Sequence, residues 1–252
     1  MPGIAPLELD FTVRGYDSGY GGPYSPQALA NVLQEAASDH ADLIGFGAAA
    51  MNARGLTWML SRIDLRLLRE PRRGERLIAR TWPAGFERLF ALRDFELDSR
   101  DSGEPVARAS YAYLVVDLAA RRPVRAQNAI DPGLVSDRPR ALSDARFSAE
   151  RPADEAAWQE RYELTAMDRH IDHNGHVNNA HLIAWLCDAP PPAARAGGAL
   201  AELRVEFSQE ALLGDRLSAA WAALPARDGL ARQAAELRRG ADVCVRGELA
   251  WR

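Results

Sequence analysis

The stretch Arg62-Ile-Asp-Leu-Arg-Leu-Leu-Arg-Glu-Pro-Arg-Arg-Gly-Glu-Arg-Leu77 decides how this chain is read. Its first half alternates, with Ile63, Leu65 and Leu67 apolar and Arg62, Asp64 and Arg66 charged between them. Successive side chains of a strand leave on opposite faces, so the alternation predicts a sheet with one face buried and one wet. The same order returns further on, where Val205, Phe207, Glu210, Gly214, Arg216 and Leu217 keep step with Leu65, Leu67, Glu70, Gly74, Arg76 and Leu77. A second echo joins Phe11, Val13 and Asp17 to Tyr162, Leu164 and Asp168. Two echoes in the same order predict the duplication of a unit of about a hundred residues, too long a period for a solenoid.

Each half reads alike at the level of elements. In the first, Ser25 and Pro26 are N-cap and N1 residues for a helix whose apolar side is Leu29, Val32, Leu33, Ala36, His40 and Leu43, ending at Gly45. Strand-like runs follow at Trp58 to Leu68, Arg76 to Trp82, Leu89 to Leu97 and Val106 to Asp117, with Gly74, Pro83, Gly85 and Gly103 as turns. The second half has a shorter helix, capped by Asn178 or Asn179, running through Leu186 and stopped by Pro190 to Pro192. Its strands fall at Leu203 to Gln209, Arg216 to Leu224, Leu230 to Leu237 and Ala241 to Trp251. Gln233 to Glu236 favour helix locally, but the repeat requires a strand there. A helix apolar on one side, followed by an antiparallel meander, buries its stripe best when the sheet wraps it. The expected class is α+β, with a first domain at 1–135, a Pro-, Arg- and Asp-rich linker at 136–158 and a second domain at 159–252.

Composition narrows the function. A chain of 252 residues that is 47% hydrophobic and 26% charged suits a globular protein of two medium-sized domains, not a disordered one. It has no apolar run near the roughly 20 residues a bilayer span needs and no signal-like start, so a cytoplasmic protein is expected. Two cysteines, Cys187 and Cys244, are too few for a disulfide framework or a thiolate metal site. A net charge of -4 argues against a nucleic-acid binder, and every basic residue is an arginine.

The chemistry concentrates in Asp168-Arg-His-Ile-Asp-His-Asn-Gly-His-Val-Asn-Asn179, which holds three of the five histidines. Asp172, Asn174 and His176 are spaced by two, so on an extended backbone they would converge on one side. Asn supplies an amide donor, His holds or moves a proton, and Asp orients a neighbour. Glu210 is a candidate general base. Parity from Leu203, Val205 and Phe207 turns Gln209 inward instead, so a bulge or the strand end must intervene. His170, His173 and His176 recur at intervals of three, which suit neither a strand face nor an i, i+4 helical pair, and no metal is expected.

These residues resemble the acyl-acyl carrier protein thioesterases. Asp172-His-Asn-Gly-His-Val-Asn-Asn179, with Trp185 six residues on, looks like the family's D-x-N-x-H-V-N-N pattern and following tryptophan. Glu206-Phe-Ser-Gln-Glu-Ala211 resembles its E-Y-R-R-E-C segment, and Gly55-Leu-Thr-Trp58, Thr81-Trp82 and Arg93-Asp94-Phe95 resemble its N-terminal half. The resemblance implies two tandem hotdog domains, each an antiparallel sheet wrapped around a helix. It implies that Asn174 and His176 hold and polarise water and thioester, that Asp172 orients them and that Glu210 is the general base. The family's cysteine falls on Ala211, which excludes a thiol nucleophile there, and its usual tyrosine falls on Leu182.

The activity so implied is hydrolysis of fatty acyl thioesters on acyl carrier protein. The alternatives are the same chemistry on coenzyme A, a non-catalytic acyl-binding module and a metal hydrolase. No cofactor is implied. The expected partner is acyl carrier protein bearing its acyl group, for which the runs Arg69, Arg72, Arg73, Arg76 and Arg121, Arg122, Arg125 are candidate docking points. A monomer and a homodimer are equally consistent with two units in one chain.

Overall fold

The computed structural model describes residues 4–19, 22–195 and 198–252. In chain order its strands and main helices are β1 (Leu7–Thr12), α1 (Pro26–Leu43), α2 (Ala48–Ala53), β2 (Leu56–Leu67), β3 (Arg76–Glu87), β4 (Phe90–Ser99), β5 (Pro105–Asp117), β6 (Arg122–Val124), α3 (Ala126–Ala129), β7 (Gln159–Thr165), α4 (Asn179–Asp188), β8 (Leu200–Phe207), β9 (Arg216–Arg227), β10 (Leu230–Arg239) and β11 (Asp242–Trp251). They fall into two compact units. The first takes the chain up to Arg14 and Asn31–Ala145, and the second takes Gly15–Ala30 and Arg146–Arg252.

The strand order within the first unit is β1-β3-β4-β5-β2, and within the second it is β7-β9-β10-β11-β8. Register repeats with it. Ala79 faces Leu97 as Ala219 faces Leu237, and Leu67 faces Ala107 as Phe207 faces Val245. The duplication read from Leu65–Leu77 and Val205–Leu217 is therefore in step residue by residue.

The earlier echo is not. Phe11 faces Leu77 and Thr12 faces Arg76, while Leu164 faces Leu217 and Thr165 faces Arg216. The counterpart of Phe11 is thus Leu164, two residues beyond Tyr162. A slip of two keeps every side chain on its own face of the sheet, so apolar patterning does not detect it. The loop between Asp17 and Tyr24 includes Tyr20 and Gly21, which lie outside the described residues.

The helices start where their caps dictate. The Ala28 N–H donates to Ser25 Oγ at 3.4 Å, and the Ala180 N–H donates to Asn178 Oδ1 at 2.8 Å, so Asn178 is the cap and Asn179 the first helical residue. In the first unit α1 buries Leu33, Ala36, Ala37 and His40; in the second α4 buries Leu182, Ile183, Leu186 and Cys187 against β10 and β11. The approach of α4 is close: a Cβ at Gly247 would lie 2.2 Å from Leu186 Cδ2, so β11 needs a residue without a side chain under the helix. Opposite Leu65, the first unit carries Ala109 at the matching place.

The face of the first sheet expected to be wet is covered. Asp64 and Asp94 are fully buried, and the segment 136–145 lies over them. Arg140 and the Ala141 N–H bind the Asp94 carboxylate, Arg138 pairs with Glu96 and stacks over Trp82, and Arg66 pairs with Asp144. In the second unit 146–158 does the same. The Ala149 and Glu150 N–H groups donate to Glu206 and Glu248, Glu150 pairs with Arg232, and Arg238 lies over Trp158. Charge alternation marks this face as polar, but polar groups that find partners need no water.

Candidate functional site

The segment ahead of α4 folds as a tight turn. The Gly175 N–H donates to the Asp172 carbonyl at 3.0 Å and the Asp172 N–H donates to the His176 carbonyl at 2.8 Å, with Ile171 bridged to Val177. Gly175 has φ +81°, a left-handed position that favours glycine. The Asn174 N–H donates to Asp172 Oδ1 at 2.8 Å, a local bond that stabilises the turn. The extended backbone expected for Asp172, Asn174 and His176 is therefore absent. Asp172 spends a carboxylate oxygen on the turn, and Asn174 projects exposed from its tip, its side chain making no hydrogen bond among the described residues.

This turn is pinned to the chain just after β8. The Val177 N–H donates to the Ala211 carbonyl at 2.8 Å, and His176 is bridged to Leu212. The outcome is a contact between two of the expected site residues: His176 Nε2 lies 3.3 Å from Glu210 Oε2, with both side chains partly exposed, 37% and 54%.

Glu210 reaches that position because the alternation breaks where parity required it to. β8 ends at Phe207, and the N–H groups of Ser208 and Gln209 both donate to the Cys244 carbonyl, at 2.9 and 3.2 Å. Two consecutive donors on one acceptor insert an extra residue, the geometry of a bulge, and the next side chain changes face. Gln209 turns to Arg239 and Glu210 to His176.

Three aromatic rings stand on the other flank of the turn. His170 lies edge-on to His181 and Trp185, with centroids 5.0 and 4.9 Å away, and Gln27 Nε2 is 3.0 Å from His181 Nδ1. Burial holds both histidines below their usual range. His181 packs against these rings; Gln27 and Arg239 belong to no motif and are visible only in the fold.

The remaining candidates resolve simply. Both cysteines are free and buried, and burial pushes their thiols up, away from the reactive thiolate. Ala211 is buried with its methyl where a thiol would otherwise stand. No group of three or more metal-binding side chains forms among the described residues. Arg69 pairs with Glu75 and Glu104, and Arg76 with Asp101, so half of that arginine run is neutralised. Arg72 and Arg73 line a surface cleft of about 630 Å³ together with Glu70, Glu75 and Glu104, and form no ion pair among the described residues.

Two sheet-and-helix units in one chain, the second carrying a histidine–carboxylate pair, define a double hotdog protein. Solved structures share the arrangement: the 12:0-ACP thioesterase from Umbellularia californica (TM-score 0.83, 21% identity, covering 98% of this chain and 94% of that one) and an acyl-ACP thioesterase from Bacteroides thetaiotaomicron (0.81, 24%, 97% and 97%). At these identities the likeness shows the fold. Residues 7–132 match the acyl-ACP thioesterase N-terminal domain and residues 152–249 the acyl-ACP thioesterase C-terminal domain, so the chain belongs to the acyl-ACP thioesterase family. Its relatives include the chloroplastic palmitoyl-acyl carrier protein thioesterase of Cuphea hookeriana, 28% identical over 256 residues that cover 96% of this chain. The chain spans 61% of the length of that relative. The Arabidopsis thaliana protein of the same description is 26% identical over 211 residues, covering 80% of this chain and 51% of that protein.

Proposed function

We propose that the chain hydrolyses fatty acyl thioesters borne on acyl carrier protein, releasing free fatty acid and so ending chain extension. The observation that carries this reading is the 3.3 Å approach of His176 Nε2 to Glu210 Oε2 at an open site. Glu210 takes a proton from a water held beside His176, and the water oxygen attacks the thioester carbonyl carbon. Asn174, presented by the Asp172 turn, donates to water or carbonyl. The N-terminus of α4 follows His176 within three residues, and its positive end favours the oxyanion as it forms. The carbon–sulfur bond then breaks, and the leaving thiolate receives a proton, restoring the Glu210 carboxylate. Water is the nucleophile in this scheme because Ala211 has no nucleophilic atom and both thiols are sealed in the interior.

Acyl carrier protein is the assigned carrier on the strength of family membership, and the cytoplasm is the assigned compartment. No helix among the described residues is long and apolar enough to cross a membrane. A panel of acyl groups, each on acyl carrier protein and on coenzyme A, with free fatty acid detection, tests the reading. Faster release from the carrier protein is expected. Preference for coenzyme A would remove the carrier claim, and binding without release would turn the chain into an acyl-binding module.

A further inference from the structure

Glu210 sits past the end of β8, on a bulged segment with no further strand pairing of its own, and its side chain is more than half exposed. On one side the segment is held by the Val177 N–H on the Ala211 carbonyl; the other side is held by a side chain. A single guanidinium, from the last residue of β10, meets that segment at three points. Arg239 Nη1 donates to the Glu210 carbonyl at 3.2 Å and to Asp215 Oδ2 at 2.7 Å, and Nη2 donates to Gln209 Oε1 at 3.0 Å. Asp215 Oδ2 in turn accepts the Leu212 N–H at 2.9 Å, so both sides of the 209–215 loop are tied to one planar fork. Leu212 is the residue bridged to His176.

The first unit shows what this arrangement adds. There the corresponding carboxylate, Glu75, also accepts a backbone N–H from three residues upstream, that of Arg72 at 2.8 Å. Its guanidinium, however, comes from Arg69, within the loop, and Ser99 stands where β10 has Arg239. Arg69 Nη1 also donates to the Glu70 carbonyl, at 3.3 Å, so the backbone of the glutamate is held in both units; in the second unit the arginine lies on the neighbouring strand and its fork takes in the Gln209 side chain as well.

We propose that Arg239 is a positioning residue for Glu210, holding the peptide that bears the carboxylate so that it meets His176. This rests on Glu210 being the general base. A guanidinium can bridge three acceptors because its donors are fixed in one plane; a lysine ammonium keeps the charge but not the fork. Displacement of a catalytic group by about 1 Å costs up to about a hundredfold in rate.

The test is steady-state kinetics of Arg239→Ala, Arg239→Lys, Glu210→Gln and the double variant Glu210→Gln/Arg239→Ala on one acyl-carrier-protein substrate, with thermal unfolding of each. Arg239→Ala is expected to lower kcat by about 10-fold to 100-fold with KM within about threefold, and Arg239→Lys to fall between it and the parent. In the Glu210→Gln background, Arg239→Ala should cost less than about twofold, because a group that acts through Glu210 has nothing left to position. Equal losses in both backgrounds, or an unchanged kcat in folded Arg239→Ala, would overturn the proposal. Should Arg239→Ala not fold, Arg239→Lys carries the same test. Full turnover by Glu210→Gln would overturn the base assignment itself, a result separable from any behaviour of Arg239.

Discussion

The segments after β2 and after β8 are two versions of one device. Leu68 and Arg69 donate to the Val106 carbonyl as Ser208 and Gln209 donate to that of Cys244. Val13 exchanges bonds with Gly74 and Glu75 as Ala166 does with Gly214 and Asp215. A glutamate follows the bulge in both, Glu70 and Glu210. What differs is the company. Glu210 meets His176, whereas the only histidine of the first unit is His40, whose Nδ1 accepts from Arg93 at 2.9 Å. The bulged carboxylate is thus a property of the framework, and the second unit differs in having a polar turn pinned against it.

The largest expected effect tests this comparison directly. His176→Ala or Glu210→Gln should lower turnover by about 10²-fold to 10⁴-fold, the range of a general base. Glu70→Gln, the same change in the same frame, should leave it within about twofold. Equal losses at Glu70 and Glu210, measured as kcat/KM on folded variants, would make the glutamates structural in both units.

The second contrast is in acid stability. Burial, assisted by the Arg93 charge and opposed by a bond to the Ala5 carbonyl, lowers His40 to about 4. The unfolded chain, with histidine near 6.5, therefore takes up this proton first as pH falls. Stability from neutral His40 is complete above about pH 6.5 and is lost towards pH 4, by about 3 kcal/mol for this 3%-exposed side chain. Urea midpoints at about pH 7 and pH 4.5 should separate less in His40→Gln than in the parent. In the second unit the lowered histidines, His170 and His181, are only partly buried, and the buried side of α4 is Ala180, Leu182, Ile183, Leu186 and Cys187. Identical acid slopes in parent and variant would defeat the assignment.

The helix approach gives a third test. Gly247→Ala forces a methyl into Leu186 and should destabilise by about 1–3 kcal/mol, as overpacked cores do. Ala109→Gly, its mirror in the first unit, should cost only about 0.5–1 kcal/mol through backbone freedom. Chemical denaturation with unchanged slopes would measure both; a neutral Gly247→Ala would mean that Leu186 moves aside freely. The smallest change is a transplant. Gln209→Arg with Arg239→Ser recreates the first unit's loop arginine, which there holds both the Glu70 carbonyl and Glu75, and should retain the fold with kcat within about threefold. A loss of about tenfold or more in that variant would show that the guanidinium must come from β10.

Much of this was legible in particular residues. Period-2 runs around Leu65 and Val205 carry the sheets, and the repeat correctly overrides the local helical preference of Gln233 to Glu236, which lie in β10. The edge strands β1 and β7 were harder, because a register slip of two leaves face patterning unchanged. Asp172 to Gly175 contained its own turn signal, aspartate first and glycine fourth, and an extended reading passed over it. The bulge that aims Glu210 could be required from parity but not located, since it consists of two backbone donors sharing the Cys244 carbonyl. Arg239 left no trace in any motif: its three acceptors come together only once β10 lies beside the loop.

A last consequence follows from the alanine that succeeds Glu210. With a methyl at that place and both cysteine thiols enclosed, the proposed hydrolysis would depend on no thiol whose oxidation could stop it. Thiol-selective reagents should find nothing to modify until the protein itself comes apart, and reaction of either cysteine would then report unfolding.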